Sequence, residues 1–286
     1  IVALKRSDQF IESICSFIKQ MLIDRLHVIG DIFDRGPKAA EVMELLKSHH
    51  AADIQWGNHD IIWMGAACGN KFDVAEVIRL TARYGSLDTI EDDYGINLMP
   101  LITFAITTYE NDPAVPFIPK GTKPENYSDA NVRLMTMIHK AIAVISFKLE
   151  GQIVMRNPDF DMSHRLLLDK IDYEKGTIFI DGADYPLKDY YFPTIDPKNP
   201  YALTPEEELV MNKLTSSFLN SAKLQDDVSF LFAKGSVYLV YNNNLMLHGC
   251  IPMKSETEFK EFNHKGRMVK GKELLDALEQ TIRNVW

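Results

Sequence analysis

The chain of 286 residues is 46% hydrophobic and 25% charged, a globular balance that excludes a largely disordered, collagenous or coiled-coil protein. Its 31 Lys and Arg against 40 Asp and Glu give a net charge of −9, which argues against a nucleic-acid or anionic-membrane surface. No apolar run reaches the ~18–20 residues of a membrane span; Cys15, Cys68 and Cys250 share no metal-type spacing and read as small apolar packing groups in a reducing cytoplasm.

The chain starts at Ile1 without a charged-then-apolar leader and stops at Trp286 inside what reads as a helix, so both ends read as cut. Ser7 or Asp8 is expected to cap a helix whose apolar positions Phe10, Ile11, Ile14, Phe17, Ile18 and Met21 recur at helical spacing. Arg25 to Gly30 reads as a buried strand. Gly36-Pro37 is expected to start a second helix, with Pro37 in the first turn and Val42, Met43, Leu45 and Leu46 facing inward. Asp53 to Trp56 is the next short strand. Strand, helix and strand form a βαβ unit, which makes a parallel sheet with a right-handed crossover. Chemistry on such sheets gathers beyond the carboxyl ends of the strands, where the polar clusters 30–36 and 57–60 fall.

Further on, Pro113, Pro116, Pro119 and Pro124 mark a loop without regular structure. Ser128 or Asp129 caps a long helix through Leu134, Met137, Ile138, Ile142 and Ile145. Thr177 to Ile180 and Tyr185 to Leu187 read as a hairpin around Asp181-Gly182, weakened by Pro186. Thr204-Pro205-Glu206-Glu207 is a capping box. Val237 to Tyr241 and Leu245 to Leu247 are expected strands around Asn242 to Asn244. The picture is an α/β core, residues 1–99 and 236–286, interrupted by a mostly helical insertion, residues 100–235.

Gly30-Asp31-Ile32-Phe33-Asp34-Arg35-Gly36 delivers two carboxylates and a guanidinium to a strand end between glycines, where a ligand can approach the backbone. Gly57-Asn58-His59-Asp60 follows the neighbouring strand. Together they form a mixed oxygen and nitrogen donor set that suits Mn, Fe or Zn; the bland alternative is two polar loops capping helices. His248 also follows an apolar strand and precedes Gly249, which favours a ligand over a satisfied buried histidine. The other six histidines lack that context.

The blocks Gly30 to Gly36, Gly57 to Asp60 and His248-Gly249 resemble signatures of the binuclear-metal phosphoesterases, the superfamily that includes the protein serine/threonine phosphatases. Longer strings narrow the resemblance. They are Gln55 to Ile61, Glu91 to Leu98, Phe147 to Gln152 and Arg165 to Ile171. With these the chain is similar to class III fructose-1,6-bisphosphatase, the type known from firmicute and related bacteria. The similarity runs along nearly the whole chain, which covers less than half of a family member.

The resemblance implies a layered metallophosphoesterase core and a binuclear Mn²⁺ site. Asp31 would bridge the metals, and Asn58 and His248 would be ligands of the second. His59 would protonate the leaving group, Asp34 would orient it, and Arg35 would grip phosphoryl oxygens. Each role is physically sound. Two cations need a bridging anion, an imidazole can donate near neutral pH when a carboxylate holds it, and a guanidinium fork matches phosphate. A local Asp34–Arg35 salt bridge is the competing reading of those two side chains.

The superfamily's Asp-x-His block occurs nowhere in the chain, and nothing after His248 matches its last Gly-His block; His264 sits in Asn-His-Lys. The chain by itself is therefore expected to be inactive. The implied reaction is hydrolysis of the 1-phosphate of fructose 1,6-bisphosphate in gluconeogenesis. A protein or nucleotide phosphatase on the same core, or a non-catalytic binding module of that fold, are the competing readings.

Overall fold

The computed structural model describes residues 5–120 and 128–286; Pro124, in the first proline-rich segment, lies outside them. Helix α1 (Ser7–Leu22) leads to strand β1 (Leu26–Val28), α2 (Ala39–Ser48) and strand β2 (Ala52–Gln55). β1 and β2 are parallel, with His27 opposite Asp53, as a βαβ unit requires. Four helices follow: α3 (Asn58–Ala67), α4 (Lys71–Tyr84), α5 (Met99–Tyr109) and the long α6 (Asp129–Arg156). A small antiparallel sheet, β3 (Ile171–Asp172), β4 (Thr177–Ile180) and β5 (Ala183–Pro186), precedes α7 (Pro205–Leu219) and α8 (Ala222–Lys234). β6 (Gly235–Ser236) then returns to the parallel sheet, whose order is β1-β2-β6. The chain closes with the hairpin β7 (Tyr238–Tyr241) and β8 (Asn244–Leu247), the pair β9 (Phe262–His264) and β10 (Arg267–Val269), and α9 (Gly271–Arg283). The chain is thus a mixed α/β protein with a parallel three-stranded sheet.

Local signals decide several boundaries. Ser128 accepts the Asn131 N–H at the start of α6, and Thr204 and Glu207 exchange hydrogen bonds across the first turn of α7. The β4–β5 hairpin forms around Asp181-Gly182, with Pro186 at its last position, opposite Thr177. Other expectations are corrected. Arg6, not Ser7 or Asp8, precedes α1, and among the described residues no side chain caps it. Pro37 lies in a turn before α2, because tight turns at Asp31–Asp34 and Asp34–Gly36 delay the helix to Ala39. Met43 and Leu46 are buried on α2, but Val42 and Leu45 face solvent and Ala39 and Ala40 take their places. The first proline-rich segment contains a 3₁₀ turn, Val115–Phe117. Cys15 and Cys250 are exposed rather than packed. α9 ends at Arg283, so Trp286 lies beyond the helix.

One buried cluster joins the sheet to the helices. Ile54 and Trp56 pack under α8, where the Trp56 indole N–H donates to the Leu231 carbonyl at 2.9 Å, and α2 to α8 all contribute side chains to it. α6 carries two fully buried lysines. Lys140 binds Asp112 and Asp189, and Lys148 donates to Glu207 and to the Thr194 carbonyl. A buried ammonium survives only with such partners. The string Phe147 to Gln152 is therefore a docking face. Lys148 holds α7, Glu150 pairs with Arg165, Gly151 leaves room for the Tyr201 ring, and Gln152 donates to the Tyr201 carbonyl.

Asp73 gives the fold a pH dependence of known sign. Burial, reinforced by the nearby Glu76 charge, pushes its carboxyl up to about 7. The folded chain therefore keeps a proton that the unfolded chain releases near pH 4. Stability falls as pH rises from about 4 to 7. Asp73→Asn should match the wild type below pH 4 and unfold at a higher temperature than it above pH 7. Thermal melts across that range read the effect.

Candidate active site

The site forms where two strand-to-helix loops touch. Gly30 and Asp31 both have positive φ, +63° and +56°, which turns the chain sharply as it leaves β1. A Cβ on Gly30 would overlap the Gly57 nitrogen and the Gln55 carbonyl, and one on Gly57 would overlap the Asp31 carboxylate. Glycine at both positions lets the loops after β1 and β2 lie against one another.

Asp60 locks that contact. It is fully buried and accepts hydrogen bonds from three backbone N–H groups: Asp31 at 2.8 Å, Gly57 at 2.9 Å and Phe33 at 3.3 Å. Burial raises its carboxyl above the ordinary range, while those three donors oppose the rise. The sequence placed Asp60 in the second polar cluster without a role. Its signal was an acid at the third position of a helix that Gly57 precedes as its cap, where a carboxylate reaches back to free N–H groups.

Five of the six candidate side chains pair directly. Asp31 Oδ1 accepts the His59 backbone N–H at 3.2 Å, and its Oδ2 lies 3.1 Å from His248 Nε2. His248 arrives from the end of β8, held at Nδ1 by the Ile29 carbonyl at 2.8 Å. A carbonyl only accepts, so Nδ1 carries the proton and Nε2 is the nitrogen directed at Asp31. Asp34 Oδ1 lies 3.0 Å from His59 Nε2, and both Asp34 oxygens accept from Arg35 Nε at 2.9 and 3.0 Å. Burial pushes the Asp34 carboxyl up, but the Arg35 hydrogen bonds and the His59 charge outweigh it and hold it below the usual range. The local Asp34–Arg35 salt bridge is thus formed, and it coexists with the His59 contact.

Arg35 also lies over the Tyr84 ring, 5.3 Å from its centroid, with its side chain 58% exposed. Asn58 opens α3 between Gly57 and His59; it is exposed and its side chain has no hydrogen-bond partner among the described residues. The cleft behind Asp34, Arg35 and His59 offers about 20 Å³ to water, room for one molecule and not for a sugar.

The donors fit a divalent cation. One ligand atom each from Asp31, Asp34 and His59 lies within 4.8 Å of the others. His248, with Nδ1 taken by the Ile29 carbonyl, faces an Asp31 carboxylate oxygen with Nε2 at 3.1 Å, so a nitrogen and an oxygen donor stand side by side where one cation could take both. Carboxylate and imidazole together suit Mn, Fe or Zn.

The chain is thus a mixed α/β protein that gathers carboxylates, imidazoles and a guanidinium beyond the carboxyl edge of a parallel sheet, a donor set that could hold a metal ion. The family model for Firmicute fructose-1,6-bisphosphatase matches residues 1–286, and the chain belongs to that family. It is 51% identical over 286 residues to the fructose-1,6-bisphosphatase class 3 of Clostridium novyi, covering 100% of this chain and 43% of that protein. It is 51% identical over 283 residues to that of Clostridioides difficile, covering 99% of this chain and 43% of that protein. Against that of Listeria innocua it is 49% identical over 286 residues, covering 100% and 44%. The chain thus spans less than half the length of these relatives. No solved structure matches. Among the described residues, no helix is long and apolar enough to cross a membrane.

Proposed function

We propose that the chain contributes the Asp31–His248 half of a binuclear metal site in a fructose-1,6-bisphosphate 1-phosphatase of gluconeogenesis, with Mn²⁺ as the metal. Residues 1–99 and 236–286 would form the metallophosphoesterase core, and residues 100–235 the insertion. The observation that carries this reading is the approach of His248 to Asp31, made across most of the sequence in a chain of this family.

Asp31, Asn58 and His248 would hold the second metal, with Asp31 shared by the first. The bound cations supply Lewis-acid stabilisation of phosphoryl charge. His59, held at Nε2 by Asp34, would donate the proton on its other ring nitrogen, Nδ1, to the leaving alkoxide oxygen. Arg35 commits its Nε to Asp34 and turns its two terminal nitrogens, which have no hydrogen-bond partner among the described residues, toward phosphoryl oxygens. A second reading rests on the closeness of Asp34 and His59 to Asp31: all three would be metal ligands.

Calorimetry tests the proposal. Mn²⁺ is expected to bind, and Asp31→Asn to lose that binding. With Mn²⁺ present, fructose 1,6-bisphosphate should bind more tightly than AMP or a phosphoserine peptide. Phosphate release by this chain alone should stay at background, because no Asp-x-His is present to complete the first metal site. Asp31-independent binding, or a preference for AMP or the peptide, would overturn the reading.

A further inference from the structure

His248 is delivered by a hairpin that is not part of the main sheet. Among the described residues, β7 and β8 form a two-stranded ladder of their own and pair with no other strand. Metal ligands on such an element need anchors, since a small shift of a ligand costs affinity steeply. One anchor is the bond from His248 Nδ1–H to the Ile29 carbonyl. It sits at the ligand itself and cannot fix the hairpin's direction. At the base of the hairpin, the Tyr238 hydroxyl donates to Asp276 on α9 at 2.7 Å.

The third anchor lies beside the turn. The Tyr241 ring, at the end of β7, rests 5.1 Å from the His27 ring and 5.2 Å from the Arg25 guanidinium. Both groups converge on Asp53. His27 Nδ1–H donates to it at 2.8 Å, Arg25 reaches it at 3.3 Å, and Gln55 donates to it at 3.0 Å. His27 and Asp53 are register partners on β1 and β2, so this polar face is fixed by the sheet itself. Burial pushes Asp53 up, but the hydrogen bonds from Gln55, His27 and Arg25 outweigh it and keep the carboxyl below its ordinary range. The result is a rigid anionic post with two cationic or polar groups on it, capped by an aromatic face.

We infer that Tyr241 is a positioning residue: clamped on the Arg25–His27–Asp53 group, it sets the course of β8 and so aims His248 Nε2 at Asp31. The inference rests on the reading of His248 as a metal ligand, yet the clamp is testable without metal. The contact uses the ring face, so Tyr241→Phe should keep it and Tyr241→Ala should lose it. His27→Gln keeps a donor toward Asp53 and removes the ring under Tyr241.

Two measurements on the protein decide it. In the metal-free protein, ¹⁵N-detected ring spectra should show the His248 Nδ1–H protected from solvent exchange in the wild type and in Tyr241→Phe. It should be unprotected in Tyr241→Ala and His27→Gln. By Mn²⁺ calorimetry, the last two should bind roughly 10- to 100-fold more weakly, and Tyr241→Phe within about twofold of wild type. A general loss of folding would not be rescued at the ligand by Phe while the sheet spectrum stays native. If Tyr241→Ala does not fold, the same ring signal in His27→Gln decides between the outcomes. Continued protection of that proton in His27→Gln, or failure of Phe to restore it, overturns the inference. Mn²⁺ binding independent of Asp31 would instead overturn the metal reading, while the metal-free ring signal still decides the clamp.

Discussion

Asp60→Ala is expected to cost about 3–5 kcal/mol of stability, a fall in Tm on the order of 10 °C for a chain of this size. The cause is the loss of a shared acceptor. Asp60 accepts from the N–H groups of Asp31, Gly57 and Phe33, and alanine leaves all of them without a partner. Each orphaned buried donor costs roughly 1–3 kcal/mol. Removing the carboxylate also relieves its own burial, which keeps the net below the sum of those losses. Asp60→Asn should lose less, about 1–2 kcal/mol, because its amide oxygen can keep the bonds to Asp31 and Gly57 while its NH₂ faces the Phe33 donor. Among the described residues, Asp60 is the partner of the Asp31 backbone nitrogen. Asp60→Ala should therefore also weaken metal binding, and Asp60→Asn should largely retain it. Urea unfolding and a Mn²⁺ titration on the same samples check both halves. An alanine variant as stable as the wild type would show that water replaces the carboxylate at the loop junction.

What the sequence disclosed follows a physical division between local and distant forces. β1 and β2, the Ser128 and Thr204 caps and the β4–β5 hairpin are each written within a dozen residues, and all form. The convergence of loops 30–36 and 57–60 also follows from local rules, because one βαβ unit puts both at the same sheet edge. Lys140 and Lys148 were not legible as buried, since their partners Asp112, Asp189 and Glu207 come from segments tens of residues away. β6 is two residues long and carries no periodicity at all; pairing with Ile54 and Gln55 makes it a strand. α1 shows the opposite failure. Its helical stripe is clear, yet Phe10, Ile14, Phe17 and Met21 are exposed, because periodicity states that a face is apolar and not what covers it. Among the candidate site residues, the placing of Asp31, Asp34, His59 and His248 beyond strand ends was legible, whereas Asp60 was hidden by being a support: among the described residues its oxygens meet only backbone.

Asp31→Asn and Asp34→Asn should separate by at least about tenfold in Mn²⁺ affinity, and the direction decides which chemistry Asp34 performs. If Asp31 is the bridging carboxylate, its amide loses the charge that offsets two cations, and affinity should fall roughly 100-fold or more. Asp34 is differently placed. Its Oδ1 faces His59 Nε2 at 3.0 Å and both oxygens are taken up by Arg35, so its lone pairs are already shared between two donors. A carboxylate so occupied serves better as an orienting group than as a ligand. Asp34→Asn should then bind Mn²⁺ within about twofold of the wild type, since neither Asp31 nor His248 touches it. The same variant should loosen His59, because an amide can present either its oxygen or its NH₂ to Nε2 and no longer fixes one ring state. A His59 ring signal that shifts while Mn²⁺ affinity holds assigns the pair to proton donation. A fall in affinity as large as that of Asp31→Asn assigns Asp34 and His59 to the metal instead, and the proton for the leaving alkoxide must then come from another group.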